Sequence, residues 1–136
     1  MSSVRPLAGM QGAVLTLGAS HGKRMEIFRV QKEEVPERGV VVLHVQGPLN
    51  PNTVGSFSEA LQDLFDRSIY KVVLDLVNVD YISSAGVGAL ISARTTAQDN
   101  QGDIVLIHPN PKILELFGLI DLFHFAADVP AATALF

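Results

Sequence analysis

The chain alternates between two hydrophobic periods, and each change of period marks a new element. Glu26 to Val30 reads as a first strand, followed by a charged turn from Gln31 to Arg38 that contains Pro36. Gly39 to Gln46 is a stronger, β-branched strand. Gly47-Pro48-Leu49-Asn50-Pro51 breaks it, with Asn50 placed as an N-cap and Pro51 as the first helical residue. Val54, Phe57, Leu61, Leu64 and Phe65 then recur at helical spacing, with Glu59, Asp63 and Asp66 opposite, as far as Arg67-Ser68. Lys71 to Val77 is a nearly continuous apolar run, the pattern of a buried strand.

After a short polar and aromatic connection, a second helix opens at Ser84 and buries Val87, Leu90 and Ile91. Asn100-Gln101-Gly102 ends it, and Asp103 to Ile107 is a further strand. Asn110-Pro111 starts a short helix with Ile113, Leu114 and Phe117 inward and Gly118 as its C-terminal cap. Leu122 to Phe125 forms a last strand, and Asp128 with Pro130 opens a final helix that stops at Phe136. Strands alternating with helices predict an α/β fold. One mixed sheet of about four to five strands, packed with about four helices, is expected over residues 25–136.

Residues 1–24 break the pattern. They are small, contain Gly and Ser, and carry no acid group, so we read them as a flexible N-terminal tail. The apolar stretch from Leu7 to Ala19 is interrupted by Gly9, Gln11 and Gly12, which argues against a secretory signal. Arg5, Lys23 and Arg24 give this segment +3, so against a whole-chain charge of −4 the remainder carries −7. An acidic domain repels phosphate backbones, which sets nucleic acid aside as a partner.

The absence of cysteine excludes disulfides, zinc ribbons and thiol catalysis. His21, His44, His108 and His124 are far apart and show no metal-ligand spacing, so they are read as packing residues and no metal or cofactor is expected. No stretch approaches the ~20 apolar residues of a membrane helix.

Candidate chemistry concentrates in Ser83-Ser84-Ala85-Gly86-Val87-Gly88. A hydroxyl at a helix N-terminus can cap it, and a phosphate there meets free N–H groups and the positive end of the helix dipole. Two glycines in one first turn cost about 1 kcal/mol each against alanine. They trade helix stability for backbone access, either to a partner or to a neighbouring strand. The turn is not a phosphate-binding loop, because the P-loop lysine and the third glycine of a dinucleotide fingerprint are both missing. Ser84 could in principle meet His44 or His108 as a base, but Ile82 and Gly86 flank the serines where a nucleophile elbow needs glycine on both sides. Asp75 and Asp80 could be drawn as a carboxylate pair. Asp75 alternates with Val73 and Val77 on a strand, however, and is expected to anchor a loop.

These features together resemble the STAS domain of bacterial anti-sigma factor antagonists, over about residues 25–136. The resemblance rests on the strand with Leu74-Asp75-Leu76 and the serine turn before Gly86-Val87-Gly88. Gly47-x-Leu49-Asn50-x-x-Thr53 and the segment from Pro111 to Leu119 support it. It implies a cytoplasmic, non-enzymatic protein that binds an anti-sigma factor doubling as a serine kinase. Phosphorylation of a turn serine would end that association, and a phosphoserine phosphatase would restore it. The acceptor falls on Ser84, with Ser83 as the fallback, and the partner surface on Asn50, Ser83, Ala85, Gly86, Val87 and Gly88. Family carboxylates are absent here, their places being taken by Pro48, Asn50 and Ser83. The alternative is a non-phosphorylated STAS scaffold subunit of a signalling or lipid-transport complex. A small hydrolase is a third, weaker reading.

Overall fold

The sheet is built around a hairpin, β3 (Ile27–Val35) and β4 (Val40–Gln46), closed by a short 3-10 turn over Pro36–Arg38 and by Gly39 at φ 64°. The computed structural model describes residues 5–6, 14–17, 27–109, 111–116, 118 and 121–136. β3 runs through the stretch Gln31 to Val35 that the sequence pattern assigns to a turn. Charge hid it. Lys32 turns inward, only 9% exposed, and its ammonium reaches Asp63 at 2.6 Å, while Gln31 and Glu33 lie on the opposite face.

From β4 the chain makes three crossovers. α1 (Val54–Asp66) leads to β5 (Lys71–Asn78), α2 (Ser84–Asp99) to β6 (Asp103–Ile107), and α3 (Pro111–Leu116) to β7 (His124–Ala126), before α4 (Val129–Thr133). β3 and β4 are antiparallel, whereas β4, β5, β6 and β7 are parallel neighbours in that order. The expected α/β architecture is therefore present, with the five strands β3 to β7 as its body.

Two short strands extend it. β1 (Arg5–Pro6) and β2 (Val14–Leu17) both pair antiparallel with β3, in register Arg5↔Glu34 and Val14↔Val30. This corrects the reading of residues 1–24 as a tail at those six positions. An edge strand offers unpaired N–H and C=O groups, so a short segment can join it without bringing an amphipathic pattern of its own. The rest of that segment lies outside the described residues.

The two faces of the sheet are covered unequally. α1 and α2 bury Phe57, Leu61, Leu64, Val87 and Leu90 against Phe28, Leu43, Leu74 and Leu106. On the other face a smaller cluster joins Val40, Val42, Val73 and Val105 to Ala132 of α4. α2 turns Ala93 and Ala97 inward, and Ile91, expected in the core, is 39% exposed. Asp128 caps α4 through Ala131 N at 2.9 Å, and Gly118 takes φ 69° as expected of a C-cap. Asn110 and Phe117 lie outside the described residues, as do the side chains of Ile113 and Leu114.

Candidate functional site

Two loops meet at the C-terminal ends of β4 and β5. Gly47 N donates to Asn78 O at 3.1 Å, Leu49 N to Tyr81 O at 2.8 Å, and Ser83 N to Leu49 O at 2.7 Å. Leu49 and Ile82, both buried, form a single parallel bridge. The 47–53 loop is thereby stitched to the loop that delivers α2.

α1 begins at Val54 with Thr53 as its N-cap, so Pro51 is not its first residue and Asn50 caps the turn ahead of the helix instead. Its Oδ1 accepts from Asn52 N at 2.8 Å and Thr53 N at 3.1 Å, and its carbonyl accepts from Val54 N at 2.9 Å. Fully buried Thr53 reciprocates, its Oγ1 accepting from Asn50 N at 2.9 Å and donating to Pro48 O at 2.6 Å. This is the logic of a capping box with threonine in the acidic position.

At α2 the two serines divide the roles. Ser83, in extended conformation at φ −83° and ψ 172°, is the N-cap, and its Oγ accepts from Gly86 N at 3.2 Å. Ser84 is the first helical residue and is exposed. The N–H groups of Ser84 and Ala85 precede the first intrahelical bond, Val87 N to Ser83 O at 2.9 Å, so they remain at the positive end of the dipole. Ser83→Ala should therefore cost about 1 kcal/mol of stability, and Ser84→Ala less than about 0.5 kcal/mol. Urea denaturation of both variants checks this; the reverse order would put the cap on Ser84.

The glycines also differ. A Cβ on Gly86 would stand 2.9 Å from Ile82 Cγ2 and 3.1 Å from both Leu49 Cβ and Leu49 O, so this glycine lets α2 approach the Leu49–Ile82 bridge. Gly86 and Val87 are buried. Gly88 is exposed, with nothing within 4 Å of its would-be Cβ. Gly88→Ala should gain up to about 1 kcal/mol from helix propensity. Gly86→Ala should lose stability despite the same gain. Thermal melts of the pair decide it, and a stabilising Gly86→Ala would refute the close-approach account. Of the expected surface, Ala85 and Gly88 are exposed with Ser84, while Asn50 and Ser83 are half-buried.

His44, one of the two histidines considered as a base for Ser84, is engaged by two carboxylates instead. Its Nδ1 lies 2.7 Å from Asp75 Oδ2, and its Nε2 sits against Glu33 Oε1. Asp75 anchors a loop as expected, its Oδ1 accepting from Val77 N at 3.1 Å, but it also holds His44. Sequence reading missed this cluster because its residues come from three strands; the only clue was a histidine inside a β-branched run. Among the described residues no group of His, Asp and Glu has the geometry of a metal site. Nor is any described helix long and apolar enough to cross a membrane.

Comparisons with known proteins agree with this geometry. The family profile described as STAS domain matches residues 30–132. A protein of Bordetella bronchiseptica named as an anti-sigma factor antagonist, BtrV, is 32% identical over 101 residues, covering 72% of this chain and 87% of its own. Among solved structures, an anti-sigma factor antagonist from Mycobacterium paratuberculosis superposes with TM-score 0.64 at 17% identity, over 90% of this chain and 92% of its own. The Bacillus cell fate determinant SpoIIAA in its phosphorylated form gives 0.61 at 21% identity, over 79% and 99%. With a profile spanning most of its length, a relative at 32% identity and the same fold, this chain belongs to the STAS domain family.

Proposed function

We propose that this chain is an anti-sigma factor antagonist, a binding protein that sequesters an anti-sigma factor and is released from it by phosphorylation of Ser84. The observation that carries the reading is the division of labour at the α2 N-terminus. Ser83 holds the helix cap, and Ser84 stands exposed beside it with no part in that cap. A kinase can therefore take the Ser84 hydroxyl without unravelling α2. The phosphate, at about −1.5 to −2 charges, gains acceptor oxygens next to the first-turn N–H groups. The fold tolerates it, and the partner contact does not.

The name of the Bordetella relative supports the binding role, and SpoIIAA, a protein of the same fold, has been solved in both unphosphorylated and phosphorylated forms. The partner in this reading is an anti-sigma factor with serine kinase activity, acting in the cytoplasm and opposed by a phosphoserine phosphatase. The test is to incubate wild type, Ser83→Ala and Ser84→Ala with that kinase and ATP and to locate phosphate by mass spectrometry. Phosphate on wild type and Ser83→Ala but not on Ser84→Ala is expected. Phosphate on Ser83 alone would move the switch by one residue. No phosphate on any variant would leave a static scaffold.

A further inference from the structure

Beyond the end of α4's cluster, the second sheet face carries an open concavity of about 250 Å³ among the described residues. Arg29, Gln31, Gln46 and Asn78 line it, and across its floor run Glu33 of β3, His44 of β4 and Asp75 of β5. The imidazole hydrogen-bonds Asp75 Oδ2 through Nδ1, while Nε2 lies in ion-pair contact with Glu33 Oε1 without the alignment of a hydrogen bond. A neutral ring has one donor and one lone pair, so one nitrogen would aim its lone pair at an anionic oxygen. Only the protonated ring turns an N–H, and no lone pair, toward both carboxylates. The side chains are 27%, 27% and 18% exposed for His44, Glu33 and Asp75, far enough from bulk water for that repulsion to count.

We propose that Glu33, His44 and Asp75 form a proton-operated clamp across β3, β4 and β5, closed by the imidazolium and released when the ring loses its proton. The position of the clamp gives it leverage. The β4–β5 register shifts between His44 and Gln46, immediately above it. The next contact up the strands is Gly47 N to Asn78 O, the first stitch between the two loops of the candidate site. Releasing the clamp loosens the strand ends on which those loops are mounted. The clamp depends only on this chain's own residues and stands whether or not Ser84 is a phosphorylation site.

The electrostatics agree. The hydrogen bond to Asp75 is the largest influence on His44; burial opposes it, and the Glu33 charge adds to it, so the ring's pKa lies above its ordinary value of 6.5. For Asp75, burial alone would raise the carboxyl, but the bonds from His44 and Val77 N, with the charges of His44 and His108, together hold it below its ordinary 3.8. Among the described residues that line the concavity, Arg29 on the rim is the remaining charged side chain, and α4 contributes none. A raised histidine contributes stability that is complete below its unfolded pKa and lost as pH rises through the folded one. A lowered aspartate contributes stability that is complete above its unfolded pKa and lost on acidification. The clamp therefore holds between the two, and opens on the alkaline side first in the physiological range. Each unit by which the histidine midpoint is raised corresponds to about a tenfold change in the folded-to-unfolded ratio.

The test begins with an NMR titration of the His44 ring in the wild-type protein, from about pH 5 to about pH 9.5. The expected midpoint lies above 6.5 and moves down in Glu33→Gln and in Asp75→Asn. Thermal stability should fall across that midpoint in wild type, and His44→Gln should lack that component of the slope. Exchange of the Gly47 and Leu49 amides, corrected for intrinsic pH dependence, should accelerate through the same midpoint. A wild-type midpoint at or below 6.5 overturns the clamp, and needs no variant to fold. Parallel stability curves for wild type and His44→Gln also overturn it, as does amide protection that ignores the midpoint.

Discussion

Gly102→Ala is expected to destabilise the protein by about 3 kcal/mol or more, the upper end of overpacking costs. A Cβ at this position would lie 2.0 Å from Tyr70 O, 2.5 Å from Tyr70 C and 2.7 Å from Tyr70 Cβ. The first two are backbone atoms and cannot swing aside. Tyr70 O accepts from Asp103 N at 3.0 Å, immediately below the Lys71↔Asp103 pairing that starts the β5–β6 ladder. Gly102 N is itself fixed to Ala97 O at 2.7 Å. Relief of the clash therefore has to move the end of α2, the start of β6 or the Tyr70 ring, which stacks on Phe65 with centroids 5.5 Å apart. Urea denaturation measures the loss. Gly55→Ala is the control: nothing lies within 4 Å of its added Cβ, so α1 should gain up to about 1 kcal/mol. A Gly102→Ala variant within about 0.5 kcal/mol of wild type would show that the strand junction yields more easily than this geometry implies.

That glycine also shows what a sequence can and cannot convey. Asn100-Gln101-Gly102 reads correctly as a helix end, and glycine is the usual residue for the left-handed turn there. In the fold Gln101 takes the positive φ, at 66°, and Gly102 serves the approach to Tyr70. Composition marks a break but does not say which atom will arrive from 32 residues away in the chain. Gly86 follows the same rule. Its sequence context suggests backbone access, and only the Leu49–Ile82 bridge reveals that the access is internal.

Periodicity served well where one face of an element was buried, and failed where burial was mixed with charge. α1 and β5 were legible because their apolar positions repeat at 3.6 and in an unbroken run. The second half of β3 was not, because Lys32 is inward and paired while Glu33 and Glu34 look like a turn. β2 was illegible for another reason: an edge pairing relies on backbone hydrogen bonds, which every sequence possesses. Of the candidate site, the helix start and both serines could be placed from sequence. The assignment of the cap to Ser83 rather than Ser84 needed coordinates, since either hydroxyl satisfies the same pattern.

Under the proposed function, that assignment sharpens the expected behaviour of Ser84 variants. Ser84→Ala should fold like wild type, refuse phosphate and bind the anti-sigma factor with unchanged affinity, since it removes neither the cap nor a charge. Ser84→Glu should be equally stable or gain about 0.3–1 kcal/mol, because a carboxylate suits the first turn of a helix. Its affinity should nevertheless fall by about 10- to 1,000-fold, the effect of about 1.4–4 kcal/mol of uncompensated desolvation or like-charge repulsion at an interface. The opposition of the two readouts carries the argument. A substitution that damaged the site by unfolding α2 would lower stability and affinity together, whereas a charge acting on the partner lowers affinity alone. Ser83→Ala supplies the comparison, because it removes the bond from Gly86 N without introducing charge. Calorimetric titration of the anti-sigma factor with all four proteins, beside their urea midpoints, separates the cases. Full affinity in Ser84→Glu would remove the electrostatic basis of the switch, and the exposed hydroxyl would then be only a surface group beside a cap.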